Sequence, residues 1–447
     1  MERKLEKKFS PAQFLAISFL AVIAVGTGFL LLPCSTKSGH ISLVDALFRA
    51  TSSVCVTGLT VQDTSVYFTR FGQIVNMVLF QLGGLGIMTF STLILLVSGR
   101  KVAIKDRIII QQGFHHAAPK DVKTLIKNIF IYTLGMEALG AFLLYVHWHK
   151  EFPFGQDIMQ SVYHSISAFC NAGFSLLSNS LESYRNDIWV NGVLVFLIVL
   201  GGIGFLVLQE GKEAIKAVLK RKKTRFSLHS KIVLTFTSFL IVIPFFVFLF
   251  VEWNRSLQHF SAKEKILTSL FQVVTSRTAG FNSINLSLLS FPTLMLLILL
   301  MFIGASPGST GGGIKTSTFG VIFAFLKSKI TARESVNIFY RTLPLEMIMR
   351  AFTVVTLSFS VIFFSVFIIS LVQPEFQMQS VIFEVFSAFG TVGLSLGITP
   401  HLNTLSKIVI ILTMYIGRIG LLTLLWAFSR QRSYGRFEYL EETVMIG

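Results

Sequence analysis

Residues 167–174 read SAFCNAGF, and the pattern returns at 387–394 as SAFGTVGL. Looser copies stand at 52–59, SSVCVTGL, and at 274–281, VTSRTAGF. Each runs from small or hydroxyl side chains to one glycine and then a Leu or Phe. The glycines, Gly58, Gly173, Gly280 and Gly393, are almost evenly spaced. An internal repeat of this length sets the architecture before any local reading does.

Every copy sits in the same hydropathy plan. A long apolar span comes first, at 14–32, 129–146, 232–251 and 352–372. A polar stretch leads to a short, partly amphipathic segment, at 43–53, 157–169, 263–276 and 379–389. The glycine copy follows, and then a second span, at 74–97, 189–208, 294–326 (interrupted) and 408–428. A helix of a dozen residues rises about 18 Å, against a hydrocarbon core of about 30 Å. The short segments are therefore expected to be re-entrant half-helices. Non-helical backbone at that depth survives only inside protein or beside a watery cavity. This predicts an all-α polytopic membrane protein of eight crossings. Its four membrane–pore-helix–membrane repeats, at 10–110, 120–222, 226–335 and 345–430, would surround a pseudo-fourfold pore, with a cytoplasmic tail at 431–447.

Composition agrees. The chain has 447 residues, 53% of them hydrophobic and only 14% charged, with a mean hydropathy of +0.70. A net charge of +17 would suggest nucleic acid in a soluble protein. Here it reads as cytoplasmic Lys and Arg. One face, with the N-terminal tail, 100–127, 212–231, 327–350 and the C-terminal tail, carries 27 of the 39 Lys and Arg. That face is expected inside, with both termini, so the glycine copies enter from outside. The basic start followed by 14–32 reads as a first span rather than a signal peptide, since its apolar run is long and no small-x-small site follows. Cys34, Cys55 and Cys170 form no metal or disulfide pattern and read as small apolar fillers.

Four re-entrant turns about one axis make a ring of backbone carbonyls, which can replace the hydration shell of K⁺. Glycine suits such turns because a Cβ forbids the dihedrals that turn the carbonyls inward. The candidate oxygens belong to Cys55, Val56, Thr57 and Gly58; Cys170, Asn171, Ala172 and Gly173; Arg277, Thr278, Ala279 and Gly280; and Gly390, Thr391, Val392 and Gly393. The plainer alternative is glycine serving only close helix packing.

On these copies the chain resembles the membrane subunit of the Ktr/Trk/HKT potassium transporter superfamily, with a length closest to its KtrB branch. The resemblance spans essentially 10–430. It implies single-glycine filters, and glycine at all four positions resembles the potassium-selective members, whereas serine at the first would favour sodium. It further implies a homodimer and a cytosolic, nucleotide-binding KtrA-like ring, since no nucleotide-binding domain lies in this chain. The acidic tail from 437 is the candidate dimer element. Basic 212–225 could meet anionic lipid or that partner.

A second constellation is GASPGSTGGGIKT at 304–316: Gly304, Ala305, Ser306, Pro307, Gly308, Ser309, Thr310, Gly311, Gly312, Gly313, then Lys315. Each interior Gly costs a helix about 1 kcal/mol and a Pro about 3, so this span must break. It misses a P-loop because Ile314 separates Gly313 from Lys315 and no strand precedes it. The resemblance implies an intramembrane gate. The third feature is Arg418. GRIG at 417–420 puts arginine where GGLG at 83–86 and GGIG at 201–204 have glycine. Either it pairs with Glu137, Glu346 or Glu384, or, as the resemblance implies, it is a positive barrier in the pore. Lys315 would add to that barrier or reach cytoplasmic water. Glu137 reads as a buried hydrogen-bonded carboxyl rather than a proton relay.

The expected activity is potassium uptake, with sodium dependence left open. The rivals are a secondary transporter of another small ion or an anionic solute, and an intramembrane enzyme. The spans hold no paired nucleophile and base for the latter.

Overall fold

The computed structural model describes residues 11–86, 122–222 and 225–428. The expectations for the N-terminal start, most of 100–127, the end of the first repeat's second span and the tail lie outside these residues.

Four sets of helices follow one order: long, short, second. The first set is α1 (Pro11–Leu30), α2 (Leu43–Val54) and α3 (Arg70–Leu85). The next comprises α4 (Val122–Trp148), α5 (Gln156–Phe169), α6 (Ile188–Ile203) and α7 (Phe205–Leu219). Then come α8 (Leu228–Glu252), α9 (Ala262–Thr275), α10 (Phe291–Phe302) and α11 (Thr316–Ile330). A two-stranded hairpin, β1 (Asn337–Ile338) and β2 (Arg341–Thr342), leads to α12 (Leu345–Val372), α13 (Met378–Gly390), α14 (Thr404–Ile419) and α15 (Leu421–Phe428). The short helices begin and end within one residue of the segments expected from hydropathy.

Polar residues set the starts. Ser42, Thr69, Asp187, Ser261 and Asn403 each accept a first-turn backbone N–H, which satisfies donors the helix itself cannot. Ser261 and Glu264 form a reciprocal capping box at α9. Ser290 opens α10 without such a bond, and Pro292 follows at its start.

The sets close on themselves. Besides its own repeat, each second helix packs on the next repeat's short helix: α3 on α5, α6 on α9, α10 on α13, and α14 on α2. The last contact joins the fourth set to the first and completes the pseudo-fourfold ring. The long helices stand outside, with Phe142, Phe250 and Phe363 exposed as a lipid-facing surface requires.

One expectation is corrected. The third second span was to be the only broken one. In fact α3, α6 and α14 all stop at a glycine, Gly86, Gly204 and Gly420, with φ of +80°, +100° and +87°. α7 leaves α6 at a bend of 105°. Among the described residues, four helices, or five counting that bent pair, are long and apolar enough to cross a membrane. The cause is the pair of glycines three residues apart, GGLG, GGIG and GRIG. Gly83, Gly201 and Gly417 lie against the carbonyls of Val54, Phe169 and Phe389 at the ends of their own short helices, with no room for a Cβ. The second helix therefore touches the end of the short helix, and the chain turns away three residues later.

Candidate functional site

The four copies share one backbone conformation. The chain leaves each short helix through a turn in which Thr57, Ala172 and Val392 N–H groups donate to Ser52, Ser167 and Ser387 carbonyls. In the third copy Ala279 and Gly280 both donate to Thr275. The glycines then take φ of +91°, +71°, +87° and +94°. The residue two places earlier is also left-handed: Val56 at +57°, Asn171 at +57°, Thr278 at +84° and Thr391 at +51°. Three of these are β-branched, for which such a φ is a true outlier. Strain of this kind persists only where surroundings over-determine it. All eight residues are buried or nearly so. Hydroxyls brace the outgoing strand: Ser52 Oγ donates to the Leu59 carbonyl and Ser167 Oγ to that of Phe174, both at 2.8 Å. Thr275 Oγ1 accepts from Phe281 N–H and Ser387 Oγ from Gly393 N–H.

The four glycines meet. A methyl added to Gly58 would lie 2.6 Å from the Ala172 carbonyl oxygen, and one added to Gly173 the same distance from that of Ala279. One on Gly280 would strike the Val392 carbonyl, and one on Gly393 the Thr57 carbonyl. The order 58, 173, 280, 393 and back to 58 is cyclic, and each peptide oxygen lies beside its neighbour's glycine. Close helix packing alone would not bring these four positions into one ring.

Loop residues 304–315 press against this ring. Gly312 N–H donates to Thr391 Oγ1 at 3.1 Å. A Cβ on Gly311 would collide with the Thr278 side chain, and one on Gly312 with that of Thr391. The loop is hydrogen-bonded though it is not helical. Ser306 and Thr310 N–H groups donate to Gly202 and Gly201 carbonyls at 3.0 and 3.2 Å, and Phe205 N–H returns a bond to Gly308 at 3.0 Å. Those carbonyls have no helical partner because α6 stops at Ile203. Two interruptions thus satisfy each other, as backbone away from water requires. Thr316 Oγ1 to Ser306 Oγ, at 2.9 Å, closes the loop's neck.

Arg418 forms no ion pair with Glu137, Glu346 or Glu384. Its guanidinium donates to the backbone carbonyls of Thr310 and Gly83. Glu346 pairs with Arg350, Glu384 accepts from Ser395 and Thr399, and Glu137 accepts from Gln81 at 2.9 Å. Lys315 turns back on the loop, where its Nζ donates to Gly311 O at 2.7 Å. Arg49, Lys265 and Arg277 are buried despite their charge. The left-handed residues before the glycines and the bracing hydroxyls went unread. The hydroxyls recur in the repeat and could have been found, but the φ values leave no mark in residue type.

A closed ring of helices, four converging peptide turns and an unwound, hydrogen-bonded loop against them define a polytopic membrane protein with non-helical backbone at its centre. The sequence model of the TrkH family, described as cation transport protein, matches residues 3–438. The chain belongs to the TrkH family of cation transport proteins. It is 40% identical over 426 residues, 95% of this chain and 94% of the relative, to Ktr system potassium uptake protein B of Bacillus subtilis (strain 168). Potassium/sodium uptake protein NtpJ of Enterococcus hirae is 36% identical over 454 residues, 100% of this chain and 99% of the relative. The crystal structure of the potassium transporter TrkH from Vibrio parahaemolyticus has the same fold, with a TM-score of 0.74 at 20% identity, covering 95% of this chain and 86% of that one. The protein is accordingly an ion transporter and not an enzyme.

Proposed function

We propose that this chain takes up potassium across the cell membrane through a filter lined by backbone carbonyls of the four glycine turns. The cyclic contact of Gly58, Gly173, Gly280 and Gly393 carries the reading, because oxygens converging from four sides can replace water around a dehydrated cation. The short helices aim their C-terminal, partially negative ends at the same place. Loop residues 304–313, with Lys315 and Arg418, form the gate. Two relatives are named for potassium uptake, one of them for sodium as well, so sodium enters as a second transported or coupled ion. The charge asymmetry of the connecting segments supports both termini on the cytoplasmic side. A homodimer with a cytosolic KtrA-like nucleotide-binding ring on the basic face completes the assembly.

Expression in a strain deficient in potassium uptake tests this reading. Growth at low potassium, with rubidium uptake competed by K⁺ far better than by Na⁺, is the expected result. Failure to restore growth, or competition by anionic solutes instead, would overturn it.

A further inference from the structure

We propose that Arg49 and His164 are positioning residues that set the ring's width from behind, each bearing on the residue after the ring glycine of the next repeat. Both occupy the same register, nine residues before Gly58 and Gly173. Neither belongs to the ring or to the loop, and both are buried, Arg49 at 2% exposure and His164 at 0%.

Arg49 comes from α2 but reaches the second repeat. Its guanidinium carbon lies 4.3 Å from the Phe174 ring centroid and 4.9 Å from that of Phe68. Nε donates to Asn76 Oδ1 at 2.9 Å and Nη2 to Thr64 Oγ1 at 2.7 Å. Asn76 is itself fixed, donating to Gly72 O and accepting from Ser53 Oγ. Among the described residues Arg49 forms no ion pair. Neutral oxygens and two ring faces touch its guanidinium, and Asp63 acts on it through space without an ion pair. His164 repeats the device one repeat on. Its ring stacks on Phe281 at 6.2 Å and 27°, Nε2 meets Ser175 Oγ at 2.9 Å, and Nδ1 meets Gln160 O at 2.8 Å. Trp148 closes the other side, edge-on at 5.2 Å.

The lever is covalent. The carbonyl of Gly173 and the N–H of Phe174 share one planar peptide, as do those of Gly280 and Phe281. Fixing either aromatic residue therefore fixes the plane that carries a ring oxygen. Close-packed interiors pass such displacements on rather than absorb them. At this register the third and fourth repeats carry Phe271 and Glu384, and Glu384 accepts from its own repeat's Ser395. The supports behind the ring are thus chemically unequal around an otherwise fourfold arrangement.

This inference rests on the potassium reading, and one assay separates the two. Rubidium uptake by the full chain in uptake-deficient cells, competed by K⁺ and by Na⁺, gives a discrimination ratio. Arg49→Met and His164→Asn should lower that ratio by about tenfold at unchanged membrane abundance, with Arg49→Lys partly restoring it. Phe174→Leu should reproduce Arg49→Met, and the double variant should add little, because the two act through one contact. Should Arg49→Met fail to reach the membrane, Phe174→Leu and Ser175→Ala carry the same expectation. Unchanged discrimination in all of them, or independent addition of the Arg49 and Phe174 effects, overturns the positioning role. A wild-type chain with no preference for K⁺ overturns the potassium reading as well.

Discussion

Arg418 donates to the backbone carbonyl of Thr310, tying the last span of the fourth repeat to the unwound loop of the third. A second bond from the same guanidinium reaches Gly83 O in the first repeat. One side chain thus links three repeats at the level of the loop. Hydrogen bonds from charged groups contribute about 1.5–3 kcal/mol each. Arg418→Gln should loosen the loop and remove a positive charge from the path, raising rubidium uptake by about tenfold. Uptake assays at matched expression check this, and an unchanged rate would separate Arg418 from gating.

Removing residues 306–312 takes away the segment that presses on Thr278 and Thr391. Flux should rise sharply, with K⁺ still preferred, because the four glycine turns stay in place. Rates in proteoliposomes with and without the segment decide it. A rate that stays at the wild-type level would show that the loop does not limit conduction.

Gly280→Ala should abolish uptake. The φ of +87° disfavours any L residue, and the added methyl would meet the Val392 carbonyl of the next repeat. Gly58→Ser places its Cβ by the Ala172 carbonyl, in the same ring, and should lower K⁺ preference over Na⁺ while leaving some transport. Competition curves for the two variants distinguish a lost ring from an altered one.

The capping box at α9 gives a prediction with a pH signature. Ser261→Ala removes the hydroxyl that accepts from Glu264 N–H and should cost about 1 kcal/mol. Hydrogen bonds from Ser261 N–H and Oγ, aided by Arg185, hold the Glu264 carboxyl below its usual range. With the folded value depressed, this stabilisation is full above the unfolded value and is lost as pH falls through the folded one. Thermal unfolding of the detergent-solubilised protein at neutral and acid pH should show the variant's deficit shrinking toward acid.

The repeat was legible because it uses residue type twice over: apolar length marks the long helices, and one glycine in each copy marks the turn. The short helices were found for the same reason. Much of the remainder was not legible because it depends on neighbours distant in sequence. Arg49 is held by Phe174 and Asn76, both far from it in sequence. Arg418 was open between a carboxylate partner and an unpaired barrier, and it is met by the backbone carbonyls of Thr310 and Gly83, which residue type does not announce. The breaks at Gly86, Gly204 and Gly420 were written in glycines three residues apart, but the apolar residues on either side read as unbroken spans. Val56, Thr278 and Thr391 hold left-handed backbone that their residue type disfavours, so propensity argued against the conformation the ring imposes.

The most direct measurement is anomalous diffraction from crystals grown in rubidium. The account expects a peak on the axis encircled by Gly58, Gly173, Gly280 and Gly393. An axis free of anomalous density, with rubidium bound elsewhere in the molecule, would contradict it.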